Sequence, residues 1–303
     1  MTDKEKLLGN LFRKSIYEGT TVPDYLETFA RTIYRNFKTE DFLILQLASQ
    51  LYESAQIRKN DSKYMNMQSI FTNEAFNYTT NKYPGIKLCV SQRFKSAMIE
   101  LFKRSEKIFD EGRSPEIRDL IASNITILEE ESQETISYEY NIAYDLMQHF
   151  SALNSSDDFP LYINLAIPDR QVGKSKFEQS QHPNIIIPND DIIIKELSVL
   201  GKDYISNPKT HGYQAYHTSY ELISKENPSL KIFSELQITT ISQANYEPAN
   251  HKKYKKKRNE KWSEFFSFDS TKVHIDGYYP QFDCDYSGLT EPLHVIEIPK
   301  TLI

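Results

Sequence analysis

Two runs, His217–Ile223 and Lys231–Thr240, carry the clearest strand signal in the chain. Within the second, Glu235, Gln237 and Thr239 alternate with Leu236 and Ile238. A strand therefore sets the polar side chains on one face and the apolar ones on the other. A glutamate in the middle of such a strand is costly to bury unless it is paired or bound to metal. An exposed strand face and a buried, compensated carboxylate are both open at this point.

Helical patterns surround these strands. Leu26, Phe29, Ala30 and Ile33 recur at helical spacing within Asp24–Asn36. Thr39 is a candidate cap for the next helix, whose apolar face reads as Phe42, Leu45, Leu47 and Leu51. Lys59–Lys63 reads as a polar turn. After Pro84-Gly85 a short strand, Ile86–Val90, leads into a helix over Arg93–Ile108. Glu111–Pro115 breaks the chain, Ile121–Leu128 reads as a β-branched strand, and Tyr140–Leu153 as an amphipathic helix. Residues 154–185 look loop-rich, Ile192–Leu200 fits helix or strand equally, and Leu293–Ile298 reads as a last strand. Interleaved strands and helices indicate an α/β or α+β sheet domain. Three regions are expected: a helical segment over 1–80, a sheet domain over 81–262, and an extension over 263–303.

Composition narrows the class. With 39% hydrophobic and 26% charged residues among 303, the chain suits a soluble globular protein. The net charge of −6 gives no global attraction for nucleic acid, so such binding needs a local basic patch. Two cysteines without a CxxC pair make a structural zinc site a poor reading and suit a reduced compartment. The opening MTDKEKLLGNLFRKS lacks the apolar core of a signal peptide, and no apolar run approaches a membrane span. A cytoplasmic protein with no membrane association is expected.

Four features could carry chemistry. Arg93-Phe-Lys95-Ser96, with Lys103 ten residues past Arg93, places basic groups at a strand-to-helix junction, where a helix N-terminus also favours phosphate. Taken alone, this reads first as a solvated helix face. Asp119 precedes a strand and suits magnesium, although a cap or surface charge fits as well. The segment Gly201–Tyr220, GKDYISNPKTHGYQAYHTSY, packs Lys202, Tyr204, Lys209, His211, Tyr213, Gln214 and His217 around Pro208 and Gly212. Its Pro-Lys-Thr-His-Gly is turn chemistry, and a tyrosine just past such a turn can stack on a base or simply pack a hairpin. The fourth feature is Glu235 itself.

In their order, these features resemble the synthetase domain of the RelA/SpoT homologue family. The family pattern runs R-x-K-S with a lysine ten residues on, then D-L-I-A/G-x-R, D-Y-I-x-x-P-K-x-N-G-Y-Q-S-x-H and E-x-Q-I-R-T. The chain matches with Arg93, Lys95, Ser96 and Lys103, then Asp119-Leu-Ile-Ala122, then Asp203-Tyr-Ile-Ser-Asn-Pro208-Lys209. Gly212-Tyr213-Gln214, His217 and Glu235-Leu-Gln237-Ile complete it, so the likeness spans roughly residues 86–262. The resemblance implies an α+β fold of the nucleotidyltransferase-like type, a mixed β-sheet flanked by helices, here with an N-terminal helical extension. It implies Mg²⁺-dependent transfer of pyrophosphate from ATP to the ribose 3′-hydroxyl of GDP or GTP.

By the same resemblance, Arg93, Lys95, Ser96 and Lys103 bind ATP, with Arg93 against the adenine. Asp119 and Glu235 hold the metal, and Glu235, Asp119, Lys95 and Lys103 form the catalytic set. Lys202, Tyr204, Lys209, His211, Tyr213, Gln214, His217 and Gln237 line the acceptor side, with Tyr213 stacked on the base. Departures from the pattern are Ile99 for a serine, Asn124 and Thr239 for arginines, and His211 for an asparagine. They suggest a divergent small synthetase, and no histidine/aspartate hydrolase signature stands upstream. The basic run Lys252–Arg258 reads as a solvated helix face or as an RNA patch. The second option resembles the toxic small synthetases, which implies the tRNA 3′ end or adenine nucleotides as acceptor and an antitoxin as partner; a non-catalytic nucleotide-binding regulator is a third reading. Homo-oligomers are common among small relatives.

Overall fold

The computed structural model describes residues 3–18, 21–95, 97–129, 132–166, 193, 197, 201–205, 214–244 and 249–266. They fall into two compact units, one holding the described residues up to 63 with 95–117 and 253–266, the other holding 64–94 and 118–252.

The first unit is helical. It contains α1 (Asp3–Glu18), α2 (Val22–Asn36), α3 (Phe42–Lys59), α5 (Ala97–Phe109) and most of α8 (Ala249–Phe265). Thr21 caps α2 by accepting from the Asp24 amide, with Pro23 in the first turn, where its missing N–H costs no hydrogen bond. One apolar cluster joins these helices, through Leu8 and Phe12, Leu26 and Phe29, Leu47 and Leu51, Leu101 and Phe102, and Trp262 and Phe266. Phe12 meets Phe29 edge-on at 5.1 Å between ring centroids and Phe266 at 4.8 Å. A Cβ at Gly9 would stand 2.8 Å from the Phe265 carbonyl oxygen, so α1 passes at a distance only glycine allows.

This helical core also buries charge. The Glu100 carboxylate, in the first turn of α5, accepts from Arg58 at 2.9 Å, from Arg104 at 2.8 Å and from Ser54 at 2.7 Å. Burial alone would oppose its ionisation. The Arg104 and Arg58 charges, with the Ser54 hydroxyl, overcome that and hold the carboxyl below its ordinary range.

The second unit contains α4 (Asp61–Lys82, from residue 64 on), α6 (Gln133–Leu153) and the sheet. Its strands are β1 (Leu88–Phe94), β2 (Ile121–Ile127), β3 (Leu161–Ala166), β4 (Lys202–Asp203), β5 (Tyr216–Ser224) and β6 (Lys231–Thr240). The order is β1-β2-β6-β5-β3, with β4 also on β5. The β2–β6 ladder is parallel and the others antiparallel, so the sheet is mixed and flanked by helices, as expected. One face packs on α4 and α6. There the Phe71, Phe150 and Tyr220 rings meet, and Ser123 bonds Thr72 at 2.6 Å and also Gln68. A short helix, α7 (Ile241–Ala244), follows β6.

Several local readings change. Thr39 does not cap α3. The helix starts from the Asp41 carbonyl, while the Asp41 carboxylate is taken by Lys4 and the Lys38 amide. Phe42 is exposed, and the buried stripe of α3 runs through Ile44, Leu47, Ala48, Leu51 and Ala55. The turn expected over Lys59–Lys63 shrinks to Asn60, because α4 begins at Asp61. Arg93 sits on β1 rather than in a helix, since pairing with β2 continues to Phe94. The α6 helix begins at Gln133, earlier than Tyr140, because Ser132 and Thr135 form a capping box. Within the supposed loop, β3 forms with Leu161 and Ile163 buried, and the Asn154 amide bonds both the N–H and the C=O of Ile163. Of Ile192–Leu200 only 193 and 197 are described, both helical, and Leu293–Ile298 lies outside the described residues.

Replacing Glu100 by Ala strands two buried guanidiniums and is expected to cost about 3–5 kcal/mol in urea denaturation. Because the folded carboxyl is held below its usual value of 4.5, its stabilisation is present above that pH and is lost as pH falls below it. The Glu100→Gln variant should show a flatter stability profile between about pH 5 and 3. An unchanged profile would contradict the assignment.

Candidate functional site

Residues paired across neighbouring strands share a sheet face, so the registers show what the face away from α4 and α6 carries. In one row, Arg93 on β1 lies opposite Ala122 on β2, Glu235 on β6 and Ser219 on β5. In the next row stand Ser91, Asn124, Gln237, His217 and, on β4, Lys202. Hydrophobic residues of the same strands, Ile121, Ile125, Leu236 and Ile238, point the other way. The polar face is therefore built by strand alternation and by parallel pairing of β2 with β6.

Glu235 is the centre of this face, and it is buried rather than exposed. His217 Nδ1 stands 3.5 Å from its carboxylate, and Gln237, two residues along the same strand, donates to it. Asp119, just ahead of β2, lies with its carboxylate 3.9 Å from the Arg93 guanidinium. Burial works against ionisation of Glu235. The His217 charge and hydrogen bond, with help from Arg93, outweigh both burial and the like charge of Asp119, and hold the carboxyl well below the usual range. Glu235 is thus a fixed negative charge, a poor proton acceptor and a good partner for a cation.

Two of the residues expected on the acceptor side, Tyr204 and Lys202, lie beside His217. Tyr204 meets the His217 ring edge-on at 5.0 Å, and Lys202 pairs with His217 across β4 and β5. Gln214 is buried, with its side-chain amide donating to the Ile205 carbonyl and its N–H to the Gln243 side chain. A Cβ at Gly201 would come within 2.4 Å of the Tyr216 hydroxyl, so the chain enters this segment at a point open only to glycine. The two positions where arginines stand in the resembled pattern are occupied by buried neutral residues. Asn124 accepts from Thr126 at 3.3 Å, and Thr239 donates to the Gln214 carbonyl at 3.4 Å.

Lys95 and Lys103 are half-buried and belong to the helical unit, while Ser96, Lys209, His211 and Tyr213 lie outside the described residues. Within Lys252–Arg258, the described side chains of Lys253, Lys256 and Lys257 are exposed on α8, and Arg258 faces Glu106 at 4.0 Å. Sequence reasoning passed over Arg58, whose guanidinium donates to the Lys95 carbonyl at 2.6 Å. Its available signal was slight, an arginine in the last turn of α3, four positions after Ser54.

The residues present fit a divalent cation. Asp119 and Glu235 act on each other as like charges, which a cation between them would relieve, and Mg²⁺ usually takes one or two protein carboxylates and completes its shell with phosphate oxygens and water. Among the described residues there is no group of three or more His, Cys, Asp or Glu arranged to hold a metal by itself.

Replacing His217 by Ala removes the main counter-charge of Glu235. The ionisation midpoint of Glu235, followed by carboxyl NMR, should move up toward the ordinary glutamate range. A midpoint that stays in place would show that His217 does not set it.

Residues 177–259 match the family model described as the region found in RelA / SpoT proteins. Arg93, Lys95, Lys103 and Asp119 lie ahead of that region. No curated protein matches the chain. Among solved structures, Bacillus subtilis small alarmone synthetase 1 bound to its product pppGpp is 17% identical, with 73% of this chain and 99% of that chain covered and a TM-score of 0.34. A second structure of that enzyme is 15% identical, with 72% and 98% covered and a TM-score of 0.31. At these identities and scores neither likeness bears on the activity of this chain. Over residues 177–259, the chain is similar to the region found in RelA / SpoT proteins.

Proposed function

We propose that the protein is a Mg²⁺-dependent pyrophosphotransferase of RelA/SpoT type, moving the pyrophosphoryl group of ATP to the ribose 3′-hydroxyl of GDP or GTP. The observation that carries this reading is the buried, compensated Glu235 on a sheet face shared with Arg93, Gln237 and His217, with the Asp119 carboxylate 3.9 Å from that Arg93. In this reaction the acceptor 3′-oxygen attacks the β-phosphorus of ATP, the bond to the α,β-bridging oxygen breaks, AMP leaves, and the hydroxyl proton passes to solvent or a base. Bound magnesium would neutralise phosphate charge in this transfer.

The chain's own residues supply charge and orientation. Asp119 and Glu235 would hold the cation. His217 favours the ionised Glu235 carboxylate, and Gln237 donates a hydrogen bond to it. Arg93, Lys95 and Lys103 would bind the donor, with Ser96 beside them. Lys202, Tyr204, Lys209, His211, Tyr213, Gln214, His217 and Gln237 would form the acceptor side, where stacking on Tyr213 accepts any purine.

A second reading takes the tRNA 3′ end as acceptor. The exposed Lys253, Lys256 and Lys257 on α8 favour it, because clustered lysines attract a polyanion. Labelled ATP offered with Mg²⁺ and GDP, GTP or tRNA separates the two. A 3′-pyrophosphorylated guanine nucleotide supports the first reading. Labelled tRNA, formed with steep salt dependence, supports the second. No labelled product from any acceptor would sink both. On the productive acceptor, Glu235→Gln and Asp119→Asn should each lower turnover by about 10²–10³-fold while leaving the thermal midpoint near that of the parent.

A further inference from the structure

Arg58 lies near the end of α3, well outside every motif of the transfer site, and its side chain is almost wholly buried. It donates at 2.6 Å to the main-chain carbonyl of Lys95 and at 2.9 Å to the Glu100 carboxylate, while its Nε faces Ser54 at 3.3 Å. Lys95 is the described residue just before α5, and Glu100 is in the first turn of that helix. One planar guanidinium therefore grips both sides of the point where α5 starts.

Arg58 shares Glu100 with a second arginine. Arg104, from the next turn of α5, contacts Glu100 at 2.8 Å through both Nε and Nη2. Arg104 spends its other donors elsewhere, on the Gln50 side chain at 2.9 Å and the Pro115 carbonyl at 2.8 Å. Two guanidiniums thus surround one carboxylate, and only Arg58 reaches the Lys95 backbone among the bonds described. Burying a second cation is expensive unless its donors are well used. Both bonds come from the one Nη2, whose two N–H directions are fixed by the planar guanidinium, a constraint that a lysine ammonium lacks.

We propose that Arg58 is a positioning residue for Lys95: it holds the Lys95 carbonyl and the first turn of α5 in one plane, and so sets the direction in which the Lys95 side chain is delivered to the donor phosphates. The inference rests on the reading of Lys95 as a donor-phosphate ligand.

The test compares Arg58→Met with Arg104→Met in the full chain. Both remove one buried guanidinium from the same carboxylate, and both should lower the thermal midpoint. Only Arg58→Met should raise the KM for MgATP, by about 10- to 100-fold, with the acceptor KM unmoved. Arg58→Lys, which keeps the charge without the fork, should recover part of the loss. It also carries the comparison if Arg58→Met is recovered unfolded. Equal effects of the two Met variants on the KM for MgATP, or none from Arg58→Met, would overturn the proposal. Amide exchange across residues 93–97 separates this inference from the functional reading, since it needs no turnover. If the parent protein turns over no ATP, the functional reading fails. Faster exchange there in Arg58→Met alone would still support the positioning role, and equal exchange in both variants would overturn it.

Discussion

A carboxylate on the central strand of a sheet is stable only if its surroundings return what it loses by leaving water. Glu235 is in that position, and much of the second unit follows from how it is compensated. His217 must come from the neighbouring antiparallel strand, Gln237 from the same strand two residues on, and Arg93 from β1 two strands away. Removing any of these leaves a buried charge less balanced, which makes the polar face a unit rather than a set of independent residues. Its opposite face is ordinary packing against α4 and α6. One sheet thus separates an apolar, packed side from a polar side.

The helical unit solves a similar problem with another carboxylate. Glu100 is enclosed by apolar side chains of α3 and α5, and two arginines and a serine make its burial tolerable. Here the compensation links helices distant in sequence, and it reaches the backbone at Lys95. In both units a negative charge placed in the interior decides which cations must converge, and the residues named by the motifs sit on or beside those convergences. The motif residues at 124 and 239 show the converse. With neutral side chains there, Asn124 and Thr239 turn to internal hydrogen bonds and need no counter-charge.

Local readings succeeded where the signal was periodic and unbroken. The strands β2 and β6 are rich in Ile and Thr, β5 mixes these with tyrosines, and α2 has a stripe repeating with the helical turn. They failed where tertiary pairing outweighed local pattern. Arg93 and Phe94 look like the start of a helix, yet a full ladder with β2 keeps them extended. The strand β3 alternates Leu161, Ile163 and Leu165 with Tyr162 and Asn164, but it is only six residues long and follows a polar, turn-rich stretch, so its pairing with β5 is what marks it. Thr39 is a good cap by type, but Asp41 is the residue whose carbonyl meets the first helical amides.

By itself, the sequence determined the alternation that puts Glu235 and Gln237 on one side of β6, the order of the basic, acidic and tyrosine-rich motifs, and the RelA/SpoT resemblance those motifs carry. Only the tertiary structure decided that Arg93, Glu235, His217 and Lys202 fall in adjacent rows of one face, because register between strands far apart in the chain has no local signature. It also decided that Arg58 meets Lys95 across 37 positions. That bond comes from helix packing around a buried carboxylate, and no spacing rule in the sequence records it.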